Sequence, residues 1–501
     1  MKVFLVSAED IDAFDPSSAK TYPKLGLLSL VGYLRKNSRH REKLDFVCRD
    51  MLLEKLRPEE IGREIARAAP DIVGISALSY SEDAFHAVAA AAKAAAPNAV
   101  VVGGGPYVSS SREAVLGDRN VDVLVFDEGE ATFCDLVDRI ADGGPISDVA
   151  GIACRKAGEV ITTPPRDLID VLEEIPLPAY DLVDFDAYSR LNPHLDVGGR
   201  FAPIVTSRGC PFRCIYCHAL HGKKTRFRSA ESVIEEIEVL YHRHGVRLFY
   251  IYDDIFNLDR NRAKDICRGI IARKLDIGID FLNGLRGDMM DRELIELMLD
   301  AGTYYFAYAV ETATPRLQDL IRKHNDLDAL ADSIETTVEL GKDRSVVATY
   351  NMIGFPTETE DEVWNTISYN RALHHHIADI AITIPQQNTE LYRLTQELGT
   401  APTTSHTLNY GSKIPLSASE NIPVARLGAL RESFRRAFYD QARVAELNRL
   451  AAVTGSRSQQ RFLGAFLRGY KKVSGDALGA INVTLRSGEP DLQSSLSSRR
   501  H

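Results

Sequence analysis

Nowhere in these 501 residues does an apolar run reach the length needed to span a bilayer, so no membrane span is expected. An excess of basic charge is missing too. There are 60 lysines and arginines against 70 aspartates and glutamates, a formal charge of −10. With an isoelectric point near 5.8, the chain is a poor candidate for binding nucleic acid. The opening MKVFLVSAED meets acidic residues at once, without the apolar core or cleavage site of a secretory leader. Cysteine is sparse and odd in number, seven in all, which fits a reducing cytoplasm better than a disulfide framework. The composition is that of an ordinary globular protein. The length exceeds one compact core, so about two to four domains are expected.

Three of the seven cysteines fall within eight residues, as Cys210-x3-Cys214-x2-Cys217. Zinc sites usually present two ligand pairs far apart, and no second C-x-x-C exists here. Thiolates are the usual ligands of iron–sulfur clusters, most of which use four. A four-iron cluster on three cysteines leaves one iron open to a substrate or cofactor. The other four, Cys48, Cys134, Cys154 and Cys267, are scattered among mostly apolar neighbours and are expected to be buried free thiols.

With the aromatic Tyr216 just before the third cysteine, this stretch resembles the C-x3-C-x-aromatic-C segment of the radical S-adenosylmethionine (SAM) superfamily. The resemblance implies a [4Fe-4S] cluster on Cys210, Cys214 and Cys217. It also implies SAM chelated by the open iron, cleavage of SAM to methionine and a 5′-deoxyadenosyl radical, and a reductant such as flavodoxin or ferredoxin.

The first third alternates short apolar runs with amphipathic ones. Strands are expected at 1–7, 44–48, 71–76, 99–102 and 121–126, and helices at 25–35, 58–69, 83–96 and after Glu128-Gly129-Glu130. This order predicts a doubly wound, Rossmann-like parallel sheet with ligands at the C-terminal strand ends. Ser76-Ala77-Leu78 follows the third strand and Gly103-Gly104-Gly105 the fourth. Together they resemble the S-x-L…G-G half of the cobalamin (vitamin B12)-binding fold. In that reading Ser76 bonds the nucleotide tail, Leu78 follows it, and the three glycines let the tail pass the backbone. Val121-Asp122 and Glu128-Gly129-Glu130 resemble the matching part of cobalamin-dependent radical SAM enzymes. One motif is missing. The cobalt-ligating D-x-H-x-x-G is absent, and the region reads Tyr22-Pro23-Lys24-Leu25-Gly26. The radical SAM branch commonly lacks that histidine. An empty, degenerate sheet is the alternative.

After a proline-rich connection, strands are expected at 202–206, 247–252, 280–284, 304–310, 346–353 and 379–384 with helices between. Six such units suit the partial (β/α)6 barrel of radical SAM enzymes, with reactive groups at the C-terminal strand ends. The resemblance places SAM contacts there. Asp253 or Asp254 would meet its amino group. Arg286 would reach its carboxylate, Glu311 a cation or sugar hydroxyl, and Gly354 would let adenine approach the backbone. The plainer readings are a helix N-cap at Asn257 or Asp259 and an ion pair for Arg286. His374-His375-His376 reads as a solvated helix terminus.

The domains are expected at 1–145 (cobalamin-binding-like), 146–195 (linker), 196–395 (radical SAM barrel) and 396–501. The last holds amphipathic helices at 422–451 and 458–472 that pack on the barrel mouth, and a disordered tail at 494–501. The overall expectation is an α/β protein with a small C-terminal helical region. The implied activity is methylation of an unactivated carbon or phosphorus centre of a small molecule or natural product, using two SAM molecules and methylcobalamin. A cobalamin-dependent cyclase, rearranging or oxidative enzyme is the alternative, as are a radical SAM enzyme with a degenerate cobalamin domain and a non-catalytic cobalamin or SAM sensor.

Overall fold

Short continuous apolar runs build the N-terminal sheet, because both of its faces are covered by helices. In a computed structural model the described residues are 1–11, 21–156, 158–191, 199–217, 221–281, 283–386, 388–401 and 419–473. The runs become β1 (Lys2–Ala8), β2 (Asp45–Asp50), β3 (Ile72–Ala77), β4 (Val100–Gly104) and β5 (Val123–Val125). Val3 to Val6 are fully buried, as a strand covered on both faces requires. The hairpin β6 (Ile152–Lys156) and β7 (Glu159–Thr162) then extends the sheet antiparallel, so the seven strands run β2-β1-β3-β4-β5-β6-β7. The order reverses beside β1, whose C-terminal end opens toward β3 and β4.

The second sheet is parallel throughout. Its strands are β8 (Arg200–Ile204), β11 (Val246–Ile251), β12 (Gly278–Asp280), β13 (Thr303–Glu311), β14 (Val346–Ile353) and β15 (Ile377–Ile382). They lie in the order β15-β14-β13-β12-β11-β8, an open barrel of six strands. A small antiparallel pair, β9 (Ser207–Arg208) with β10 (Arg226–Phe227), sits above β8 and brackets the cysteine loop. Helices start at side-chain caps. Asp259 accepts from Arg262 N at 3.0 Å, Asp291 from Leu294 N at 2.8 Å, and Thr359 with Glu362 makes a capping box. Asp259 therefore caps the helix after β11, which leaves Asp253 and Asp254 outside that role.

Three expectations are corrected. The last C-terminal helix does not pack on the barrel mouth, and the first reaches the mouth only at its start, where Leu427 lies against Gly354 at the end of β14. Phe462 lies against Gly278 at the start of β12 and against Gly199 before β8. Gln459 Nε2 donates to the Leu299 and Thr303 carbonyls at 2.9 and 2.7 Å. These are N-terminal strand ends, the floor of the barrel, where an open six-stranded sheet exposes apolar side chains that need cover. The expected helix at 422–451 is two, Val424–Phe438 and Gln441–Ala451, because Asp440 caps the second by accepting from Arg443 N at 2.9 Å. The histidine run is not solvated. His375 and His376 are buried, bonded at Nε2 to the Thr349 hydroxyl (3.1 Å) and at Nδ1 to Val347 N (3.0 Å), and burial holds both rings neutral. Only His374 is exposed, paired with Glu335. The three rings diverge, so they do not gather one ion. Of the scattered cysteines, 134, 154 and 267 are buried and Cys48 is partly so.

Most of the loop expected at 400–424 and all of the tail at 494–501 lie outside the described residues. Among the described residues no helix is long and apolar enough to cross a membrane.

Candidate active site

The cysteine loop leaves β8 through a knot of buried bonds. Asp253, at the end of β11, accepts from Thr206 N at 2.6 Å, from the Thr206 hydroxyl and from the Ser207 hydroxyl at 2.7 Å. Burial raises its carboxyl despite the nearby Arg262 guanidinium and these bonds. The loop is then pinned at Cys210 N to the Gly222 carbonyl (3.2 Å) and at Ile215 N to the Ile321 carbonyl (3.2 Å). Cys214 Sγ lies 3.7 Å from the Arg322 carbonyl. Cys210 and Cys214 are partly buried and Cys217 is exposed. Burial raises the partly buried Cys210 thiol. Such thiols become good ligands when a cationic metal stabilises their thiolates. Among the described residues no three His, Cys, Asp or Glu side chains gather on a single ion. Each of the three cysteines of this one loop can hold one iron of a cluster.

Above the loop, the strand ends bring several polar groups together. Glu311 ends β13 with φ 64°, a left-handed conformation that costs a non-glycine residue about 1–3 kcal/mol and is commonest at functional sites. Its Oε1 accepts from the Tyr216 hydroxyl at 3.1 Å and from Lys323 Nζ at 3.2 Å. Burial and the Glu311 carboxylate push the Tyr216 phenol well up, so it stays a donor. Asp254 is exposed, and its charge acts on Cys210 and Cys217. Arg286 is buried with its fork filled. It donates to both Asp288 oxygens (2.9 and 3.0 Å) and to the Lys323 and His324 carbonyls (3.0 and 2.8 Å). Its guanidinium carbon lies 4.0 Å over the Phe212 ring, inside the cysteine loop. Gly354 ends β14 with φ 86°, and Glu358 accepts from Gly354 N and, at 3.1 Å, from Phe355 N. Desolvation pushes the Glu358 carboxyl up to about 8.

Lys323 had no signal in the sequence. It sits in the run Ile321-Arg322-Lys323-His324, where Arg322 and His324 both take positive φ (53° and 50°). Only the folded chain shows that this tight segment supplies carbonyls to Cys214 and Arg286 and an ammonium to Glu311.

Between the two sheets lies a cavity of about 690 Å³. Ser76, Leu78 and Gly103 to Gly105 line one wall, and Val205, Arg208 and Tyr252 the other. Gly105 has φ 84°, and a Cβ there would collide with the Ser76 hydroxyl. The two loops thus meet as closely as a glycine allows, and the cradle is one that a long polar tail could follow. The Tyr22–Leu27 segment also lines it, with Lys24 Nζ held by Glu9 (2.8 Å) and Asp50 (3.6 Å). The residues present therefore fit both a three-cysteine cluster and a cobalamin.

A buried ionic clamp joins the cavity to the cysteine loop. Glu128 accepts from Arg226 (2.5 Å) and His221 (3.1 Å) and faces Arg208 at 3.5 Å. Glu130 accepts from Arg208 at 2.6 Å and from the Ser29 hydroxyl at 2.8 Å. These bonds outweigh burial and hold the Glu128 carboxyl down at about 2. The segment Glu128-Gly129-Glu130 was visible in the sequence, but its arginine partners, some 80 or more residues away, were not.

The Radical SAM superfamily profile matches residues 204–369, and the B12 binding domain profile matches residues 16–137. An uncharacterized methyltransferase of Pyrococcus horikoshii is 33% identical over 395 residues, which span 78% of this chain and 82% of that protein. An anaerobic magnesium-protoporphyrin IX monomethyl ester cyclase of Rubrivivax gelatinosus is 26% identical over 388 residues, 76% of this chain and 67% of that one. The radical SAM methyltransferase TsrM of Kitasatospora setae, solved with cobalamin and a [4Fe-4S] cluster bound, shares the fold. Its TM-score is 0.65 at 16% identity, covering 95% of this chain and 99% of that one.

Proposed function

The chain belongs to the cobalamin-dependent radical SAM enzymes, and from that premise we propose that it methylates an unactivated carbon or phosphorus centre of a small molecule or natural product. The observation that carries the reading is the shared cavity. Its walls come from both sheets, so a cofactor held by the first faces the strand ends of the second. Bound there, the cluster with SAM supplies a 5′-deoxyadenosyl radical and the cobalamin a methyl carrier.

In this reading Cys210, Cys214 and Cys217 hold the cluster, residues 1–145 hold cobalamin, and residues 196–395 form the reacting barrel. Ser76 and the glycines 103–105 receive the nucleotide tail, with Leu78 beside them. Asp254, exposed beside the cysteines, takes the SAM ammonium. Glu311, already aimed by Tyr216 and Lys323, accepts a sugar hydroxyl or the ammonium. Arg286 and Asp253 act as positioning residues. The first holds Phe212 against the 321–325 segment and the second ties down the start of the loop. Gly354 brings the backbone close to adenine. The closed clamp of Glu128 and Arg226 keeps water from the space between the sheets. An external electron donor such as a flavodoxin or ferredoxin, in the cytoplasm, completes the system.

The cyclase relative favours one second reading, a cyclisation, ring rearrangement or oxidation without methyl transfer. Product mass separates the two. The test is anaerobic turnover of the cobalamin-loaded chain with a reductant. Cys214→Ala is expected to abolish both 5′-deoxyadenosine release and methyl transfer, and persistence of methyl transfer in that variant overturns the proposal.

A further inference from the structure

The cavity does not stop at the glycine cradle. It continues into the first domain, between the sheet and the helices Leu25–Asn37 and Gly129–Ala141. The strand register shows what floors it. Leu5 pairs with Gly74 and Gly74 with Val102, so these positions form one row across β1, β3 and β4. Ser7, Ser76 and Gly104 form the row two residues nearer the C-terminal strand ends. Side chains two apart share a face of a sheet, so both rows look at the same two helices. All six residues line the cavity.

Two glycines in this floor make room. Gly104 is extended, with φ −154° and ψ −174°. Among the described residues, and apart from its chain neighbours, an added Cβ there would find nothing nearer than the Val125 carbonyl oxygen at 3.9 Å, so it would project into the cavity. At Gly74 a Cβ would stand 2.6 Å from Leu5 Cδ2 and 3.7 Å from Phe133 Cζ, so any side chain there would fill the inner end.

That inner end is closed by hydrocarbon. Leu5, Val102 and Phe133 are buried there, and Leu27 and Leu30 of the first helix pack with them. The backbone of β1, β3 and β4 is spent on the strand ladder. The polar residues on the helix side, Ser29 and Glu130, bond each other at 2.8 Å, and Glu130 also holds Arg208 at 2.6 Å. Such a slot suits a flat apolar ring and offers little to a ring edged with hydrogen-bonding groups.

Corrinoid cofactors differ in the ring that ends their nucleotide tail, the lower base. In cobalamin it is 5,6-dimethylbenzimidazole, whose edge carries two methyl groups. In other cobamides it is adenine, whose edge carries an amino group and bare ring nitrogens. Burial of the methyl groups is favourable, whereas an amino group taken from water without a partner is penalised. We propose that this slot reads the lower base: it accepts dimethylbenzimidazole and disfavours a purine, with Leu5, Gly74, Val102, Gly104 and Phe133 as its specificity-determining residues. The inference rests on the cobalamin reading above and goes beyond it, because the serine and glycine loops would hold the tail of any cobamide alike.

The test is equilibrium binding to the full-length, corrinoid-free chain in the dark, read by absorbance after dialysis. Three probes are compared: methylcobalamin, the methylated cobamide with adenine as lower base, and methylcobinamide, which has no nucleotide. A base seated in the slot is off cobalt, so each affinity is divided by the fraction of that free corrinoid already base-off, read from its own spectrum. Methylcobalamin is expected to bind tightest. The adenine cobamide is expected to bind at least about tenfold more weakly, the discrimination an apolar pocket gives against one unpaired polar group. Gly104→Ala adds a methyl group to the slot in a backbone conformation that alanine adopts freely, and is expected to weaken methylcobalamin at least about tenfold and leave methylcobinamide unchanged. Circular dichroism identifies a variant that fails to fold, and the three probes on the parent chain then carry the test. Equal binding of the two base-bearing corrinoids, methylcobinamide as tight as methylcobalamin, or a folded Gly104→Ala chain that weakens both alike overturns the slot alone. A parent chain that binds none of the three overturns the cobalamin reading and the slot with it.

Discussion

Replacing Glu128 with glutamine removes the charge at the centre of the clamp while keeping its shape. Glu128 is 4% exposed and Arg226 2% exposed at the side chain, and their contact is 2.5 Å. Taking away one partner of a buried pair typically costs about 3–5 kcal/mol, because the other charge is left uncompensated. The depressed carboxyl gives a second figure. The carboxyl falls from 4.5 to about 2 on folding, a difference worth about 3 kcal/mol at neutral pH. The sign is that of a depressed acid. Its stabilisation is complete above the unfolded value and is lost as the pH falls toward about 2. Glu128→Gln is therefore expected to lose about 3 kcal/mol at pH 7 and progressively less below pH ~4.5. Urea unfolding measures this. Trp364, the only tryptophan, reports the barrel, and far-UV circular dichroism reports the whole chain. A loss under about 1 kcal/mol at pH 7, the range of exposed pairs, would refute the claim that the clamp is a buried union of the two sheets. So would a loss that does not shrink in acid.

Glu311→Gln keeps the bond from Tyr216 but removes the charge, and SAM cleavage is expected to fall about a hundredfold with iron content unchanged, measured as 5′-deoxyadenosine. Gly105→Ala places a methyl against the Ser76 hydroxyl at φ 84°, so cobalamin content is expected to drop at least about tenfold while the cluster remains. Glu358 behaves oppositely to Glu128. Its folded value is raised to about 8, so the native state loses stability as pH climbs from about 4.5 to 8. Glu358→Gln is expected to gain on the parent across that window by roughly 4 kcal/mol, read by urea unfolding at pH 5 and 8.5.

The strand pattern was readable because β1 to β5 and the six barrel strands run parallel with helices packed on them. Such strands appear as unbroken apolar runs between amphipathic helices, and β14 matches the expected 346–353. The cysteine loop was readable because its chemistry is local in sequence. What escaped depends on long-range partners. For Arg286 the sequence offered a SAM contact or an ion pair, and the fold fills its guanidinium with Asp288 and with the carbonyls of residues 323 and 324, which no local pattern announces. Asp253 and Asp254 are indistinguishable as letters, but one is spent on Thr206 and Ser207 while the other stays exposed. Helices at 422–451 and 458–472 show an apolar stripe but not which surface it covers: the first runs from Gly354 at the mouth to His375 just before β15, and the last covers the floor at Gly278 and Gly199. His375 and His376 were misread because histidine is a polar letter, and their partners, Thr349 and Val347, lie on a neighbouring strand.

The most direct test of methyl transfer needs no substrate. The chain, loaded with cobalamin and cluster, is reduced anaerobically and given SAM labelled in its methyl group. The account predicts S-adenosylhomocysteine in step with bound cobalamin and the label recovered in the protein's cobalamin fraction. Reductive cleavage to 5′-deoxyadenosine with no S-adenosylhomocysteine and no transferred label would contradict it and point to a radical enzyme that moves no methyl group.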